Sequence, residues 1–144
     1  YIPLQIYANE HNDIFPDKPG AQNSEEALDL LVPKYNTDTD LFICPGSKDQ
    51  PIPSGGSMAK RKISYAYYMG QRPGNASEAL MSDAQINNAG KTIGQPIFTA
   101  DGKPPGNNHK TGGNFLFCDG HVDSSPPMSS FLLATNSKVV LLNP

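Results

Sequence analysis

The side chains able to do chemistry are concentrated in one short stretch. His109, Asp119, His121 and Asp123 fall within 15 residues, and Asp83 closes an apolar run upstream. Imidazole nitrogens beside carboxylate oxygens suit Zn or Mn, whereas a set made mostly of oxygens suits Ca. A loop and a hairpin can bring three of these groups together, so the candidate metal ligands are Asp83, His109, Asp119 and His121. Their spacing follows neither a zinc finger nor an H-E-x-x-H helix. A plainer reading needs no ion: His109 and Asp119 hydrogen-bond each other or nearby backbone, and hold the loop against the hairpin. Nucleophilic catalysis would pair Cys118 with His121 as its base across that hairpin. Asp119 and Asp123 oppose a thiolate there and no third group orients the imidazole, so the pair reads as incidental. Gly106–Thr111 grazes a phosphate loop, but Pro104 and His109 stand where glycines are required.

These residues need elements to place them. Residues 1–11 put Leu4, Tyr7 or Ala8, and His11 at helical spacing, as in the last two or three turns of a helix. Asn23 and Glu26 form a capping box for a second helix carrying Leu28, Leu31, Val32 and Tyr35, which should end at Val32 because Pro33 follows. Ile63, Tyr65, Tyr67 and Met69 alternate with Ser64, Ala66 and Tyr68, a strand pattern. Ala79–Met81 is a second strand, running on to Ser82 and Asp83. From Ala84 to Asn108 the chain is laced with Asn, Gly and Pro, a long excursion of the kind that tends to be functional or metal-pinned. Asn114–Cys118 and His121–Ser124 flank Asp119-Gly120, the strongest short-range hairpin signal. A two-residue turn would set Cys118 opposite His121 and Phe117 opposite Val122. Phe115, Phe117 and Val122 would then share the core face. Phe131–Ala134 and Lys138–Leu142 are further apolar runs.

Length and composition bound the class. The 144 residues fit one domain, 1–144, able to bury roughly 68% of its unfolded surface. Gly (13) and Pro (14), spread along the chain, exclude a helical bundle, and the glycines lack the period of collagen. A charged fraction of 17% and a net charge of −3 argue against wholesale disorder. The pI near 5.5 and a single basic cluster, Lys60-Arg61-Lys62, set nucleic acid aside as a partner. No apolar run approaches the ~20 residues of a membrane span. Because the chain opens at Tyr1, it reads as a piece of a longer product. Cys44 and Cys118 are the two cysteines. A bridge between them would stabilise by about 4 kcal/mol if unstrained; the alternative is two separate buried thiols.

The run from His109 through Gly112, Asn114, Leu116, Phe117, Asp119, Gly120, His121 and Val122 carries a His, nine residues, then Asp-Gly. It resembles the bacterial prepilin-like proteins named for that pattern, relatives of the type II secretion pseudopilins (general secretion pathway protein G-like). Tyr7–Asp13 with Phe15-Pro16, Leu41–Gly46 around Cys44, Ser64–Tyr67, and Leu80–Asp83 are similar to further landmarks of that family in the same order. Cys118 stands where the family usually has Ala.

The resemblance implies an α+β pilin-like head, the end of a truncated N-terminal helix packed on a small antiparallel sheet with long loops. It implies a non-catalytic structural subunit of a type II secretion or type IV pilus-like assembly. Its partners would be sister pseudopilin subunits, the secretion machinery, and the membrane through the missing helix. The location would be extracytoplasmic, periplasmic or cell-surface, anchored to the inner membrane. His109, Asn114, Asp119 and Gly120 would form a structural motif. Pseudopilin heads often hold a structural calcium ion in a C-terminal loop, and this chain's candidate ligands differ from that site. No cofactor is required; a structural ion, calcium or zinc, is the one candidate. Two other functions fit the residues: a surface-anchored glycan- or protein-binding head using Tyr65, Tyr67, Tyr68 and the Ala84–Asn108 loop, and a metal-dependent hydrolase using Asp83, His109, Asp119 and His121.

Overall fold

The computed structural model describes residues 1–106 and 108–144. Asn107, which belongs to the excursion read from the sequence, lies outside the described residues. The fold is α+β. Helix α1 (Ile2–Glu10) leads, followed by the short helix α2 (Ser24–Leu28) and two 3-10 turns, Asp29–Leu31 and Thr39–Phe42. Five strands follow: β1 (Tyr65–Met69), β2 (Ala79–Asp83), β3 (Gly113–Phe117), β4 (Val122–Ser125) and β5 (Val140–Leu142). They form one sheet in the order β4-β3-β2-β1-β5, and every pairing is antiparallel.

The local signals account for the helices. Pro3 sits in the first turn of α1, where its missing N–H costs nothing, and Leu4, Tyr7 and Ala8 are buried. The Asn23 side chain accepts from the Glu26 N–H at 3.0 Å. The Glu26 carboxylate reaches back to the N–H of Gln22, at 2.9 Å, one residue earlier than a standard capping box. α2 is only five residues long before it tightens into the 3-10 turn, and Val32 is already extended ahead of Pro33.

The middle of the sheet is buried on both faces, which explains why β1 is apolar along its whole length. Tyr67 and Met69 join Leu4, Phe15, Leu28, Leu31 and Phe42 in a core beneath the helices. Ala66 and Tyr68 point the other way, into a second core with Ile97, Phe98, Phe115, Phe117 and Leu133. The excursion after β2 is the lid of that second core. Lys91 and Leu133 exchange two backbone hydrogen bonds of 2.8 Å, Ile97 donates to the Pro127 carbonyl at 2.8 Å, and Ser129 donates to the Gln95 carbonyl at 2.7 Å. The segment is therefore pinned by its own backbone and by two apolar anchors, Ile97 and Phe98, both buried. Phe98, Phe115, Phe117 and Phe131 meet with ring centroids 5.2–6.3 Å apart, the edge-and-tilt packing that aromatic quadrupoles favour.

The β3–β4 hairpin differs from expectation by one residue, with large consequences. Leu116 pairs with Val122 and Phe115 with Asp123, so the connection is three residues, 118–120, not two. The Gly120 N–H donates to the Phe117 carbonyl at 2.9 Å and Gly120 has φ +95°. This is a type I turn closed by a left-handed glycine, the usual three-residue solution. A shift of one residue turns every side chain of β4 to the opposite face. Val122 consequently lies on the side of Leu116 and is 65% exposed. His121 takes the place expected for Val122 beside Phe117, stacking on its ring at 4.4 Å.

Candidate functional site

Three distant segments converge at the C-terminal end of β2. Cys44 follows the second 3-10 turn, whose Phe42 is buried in the helix-side core. The turn after Cys44 is closed by the Ser47 N–H and hydroxyl, each donating to the Cys44 carbonyl at 2.9 Å. The Gly46 N–H points at the Cys44 sulfur, at 3.3 Å. Asp83 is the last residue of β2 and only 2% exposed. Its Oδ1 accepts from the Asn108 amide at 2.7 Å, and its Oδ2 from the Asn114 backbone N–H at 2.7 Å. Asn108 is itself held by a 2.6 Å bond to the Ser64 carbonyl. Asp83 thus ties the end of the long excursion and the start of β3 to β2.

His109 completes the group. Its Nε2 lies 3.5 Å from Cys44 Sγ and 3.5 Å from Asp83 Oδ2. Gly46 supports the ring: a Cβ there would come within 2.5 Å of the Asn108 carbonyl oxygen and 3.3 Å of the imidazole. Cys44 and Asp83 are buried, while the His109 side chain is 40% exposed. The three groups border a cleft of about 500 Å³ on the helix side of the sheet, walled by Leu4, Phe42, Met81, Leu116 and Val122. Tyr65 shares that wall, and its phenol is pushed up to about 12, first by burial and then by the neighbouring Cys44 and Asp83.

The four expected metal ligands divide into two separate pairs. Asp83 and His109 meet at the start of β3. Asp119 and His121 meet beyond its end, where the Asp119 carboxylate takes the His121 Nδ1 at 2.6 Å and the His121 N–H at 3.0 Å. Five strand residues, about 16 Å at the usual rise, stand between the pairs. The imidazole of His109 therefore does not clasp the Asp119-Gly120 reversal; that turn closes through its own backbone and His121. The Asp119 carboxyl is held below the usual range, first by the His121 N–H and then by its ring. Asn114 belongs with Asp83 and His109, while Asp119 and Gly120 belong to the turn.

Cys44 and Cys118 are free thiols, lodged near opposite ends of β3. The alternative of separate buried cysteines is the one adopted, and the bridge is not. Cys118 is fully buried, and burial, then Glu78 and Asp119, push its thiol up to about 12, which removes it as a nucleophile for His121. Of the three tyrosines considered for a binding face, Tyr67 and Tyr68 are buried on opposite sides of the sheet. Tyr67 donates to the Pro16 carbonyl and Tyr68 accepts from Gln85, each at 2.8 Å. Tyr65, half-buried, borders the cleft.

Calcium takes six to eight oxygens, whereas the His, Cys, Asp and Glu side chains that come together among the described residues offer one thiol, one carboxylate and one imidazole. The participation of Cys44 was not legible in the ligand spacing. The Cys-Pro-Gly turn ending an apolar run was the available signal, since it stops the chain with the thiol turned inward. No protein-family model, no curated protein and no solved structure matches this chain.

Proposed function

We propose that the chain is the head of a pilin-type subunit and works by assembly, without catalysis. One observation carries this reading. α1 is apolar on two sides: Leu4, Tyr7 and Ala8 pack onto the sheet, while Ile2 (73% exposed) and Ile6 (45% exposed) form an i, i+4 pair facing away. Asn9 and Glu10 flank that outer pair, so the isoleucines form a narrow apolar stripe on an otherwise polar face, as a helix does where a second helix packs on it. Helices of sister subunits would cover that outer side in a filament or pseudopilus, continued by an apolar segment ahead of Tyr1. The small antiparallel sheet behind α1 supports the same architecture. The subunit would be membrane-retained and extracytoplasmic before assembly, with the secretion machinery as its partner. No helix of the described residues is long and apolar enough to cross a membrane.

The test uses the full-length gene product in its own cells. Cysteine replacing Ile2 or Ile6 should give an oxidation-dependent ladder of subunits, and charged residues there should abolish assembly while leaving the head folded. A coding sequence without a basic leader and an apolar stretch ahead of Tyr1, or a strictly monomeric protein, would overturn the proposal.

A further inference from the structure

We propose that Cys44, Asp83 and His109 form a zinc(II) site with a fourth coordination position open to the cleft. The His109 ring lies at hydrogen-bond length from the Cys44 sulfur, 3.5 Å, but is not hydrogen-bonded to the Asp83 carboxylate beside it. A ring N–H bonds a carboxylate at about 2.7–3.2 Å, and 3.5 Å to Asp83 is beyond that. One Nε2 also stands equally far from two acceptors, Asp83 Oδ2 and Cys44 Sγ, at 3.5 Å each. Those two separations have the length of a tetrahedron's edges around zinc. Zinc bonds of about 2.3 Å to sulfur and about 2.0–2.2 Å to nitrogen and oxygen place the ligand atoms about 3.3–3.6 Å apart. The three ligand atoms all lie within 4.8 Å of one another.

The surroundings are those of a built site. The Asp83 carboxylate is oriented by the Asn108 amide on Oδ1 and by Asn114 on Oδ2, and the same Oδ2 faces His109. The sulfur receives the Gly46 N–H. Asp83, 2% exposed, has no Lys or Arg partner among its ion pairs in the described residues. A buried carboxylate without a cation is costly, and a divalent ion supplies one. Thiolate with imidazole and a single carboxylate selects zinc over calcium or magnesium, which demand oxygen. Binding converts the Cys44 thiol to thiolate and releases its proton to solvent. His109 forms the exposed side of the group, so the fourth position faces the cleft. This site is independent of the assembly reading above.

The experiment titrates the chelator-stripped chain with Zn²⁺ by calorimetry in two buffers, and with Co²⁺ by absorption. The expected result is one ion per chain, proton release on binding, tetrahedral cobalt bands and a thiolate-to-cobalt charge-transfer band. C44S should lose the charge-transfer band and bind Zn²⁺ at least about 100-fold more weakly, and N108A should bind about 10–100-fold more weakly. H109Q, altered at the exposed ring, keeps the test valid should C44S fail to fold, and it too should weaken binding at least about 100-fold. D119N and H121A should bind like the parent. Absence of saturation below about 1 mM, equal affinity in C44S or H109Q and the parent, or loss of binding in D119N would overturn the assignment.

Discussion

Removing the Asp83 carboxylate should destabilise this protein far more than removing the His109 ring. In Asp83→Ala three donors lose their acceptor: the Asn114 backbone N–H and one N–H of Asn108, both bonded at 2.7 Å, and the Asn114 side-chain amide at 3.4 Å. An orphaned donor costs about 1–3 kcal/mol, and a hydrogen bond to a charged group is worth about 1.5–3 kcal/mol. We expect a loss of about 3–5 kcal/mol, a large part of the about 5–15 kcal/mol that holds a domain together. Asp83→Asn keeps the shape, but its amide must turn a donor toward at least one of those donors, so about 1–3 kcal/mol is lost. His109→Ala removes a 40% exposed ring whose contacts to Asp83 and Cys44 are 3.5 Å long, for a loss within about 1 kcal/mol. Urea unfolding with chelator present isolates these terms from metal linkage. At the usual dependence of about 1–3 kcal/mol per molar urea, Asp83→Ala should move the midpoint down by about 2 M with an unchanged slope. A loss in His109→Ala equal to that in Asp83→Ala would refute the reasoning, as would Asp83→Ala unfolding with the parent.

Val122→Glu should change stability by no more than about 0.5 kcal/mol, since the side chain is 65% exposed; a loss of several kcal/mol in urea melts would restore the two-residue turn, which buries this position beside Phe117. Gly120→Ala should cost about 1–2 kcal/mol because φ is +95° and the new Cβ would meet the Tyr1 ring at 2.7 Å. Thermal unfolding indistinguishable from the parent would remove the left-handed turn from the account. Glu25 is buried and its carboxyl is raised above the ordinary 4.5, first by that burial, against the pull of the Ile63 N–H and Ser24. Its contribution is fullest below the ordinary value and falls as pH rises through the raised one. Glu25→Gln should therefore gain on the parent as pH rises above the ordinary carboxyl value; stability-versus-pH curves that stay parallel would contradict this.

Much of the scaffold follows from signals only a few residues long. Asn23 and Glu26 announce α2 because a side-chain cap acts within one turn. Ile63–Met69 announces β1 because β-branched and aromatic alternation suits a pleated surface. Asp119-Gly120 marks a reversal because few residues accept a positive φ. The end of α1 at His11 rests on similar local chemistry. The hairpin shows where such signals stop: a turn of two or three residues has the same Asp-Gly signature. The choice was made by what packs beside Phe117, with His121 stacking on it and Val122 left outside.

Amino-acid order alone thus pointed to α2, to β1 and β2 and to the reversal between β3 and β4, since those preferences are written in neighbouring residues. Tertiary structure alone decided the company of each reactive side chain. Asp83 and His109 could equally have met Asp119 and His121, close in the chain, but a five-residue strand is rigid and holds those pairs apart. Cys44, far away in sequence, reaches them because the 3-10 turn carrying Phe42 must bury that ring beneath the sheet. Packing of an apolar anchor, which no spacing rule encodes, is what delivers the sulfur to the imidazole.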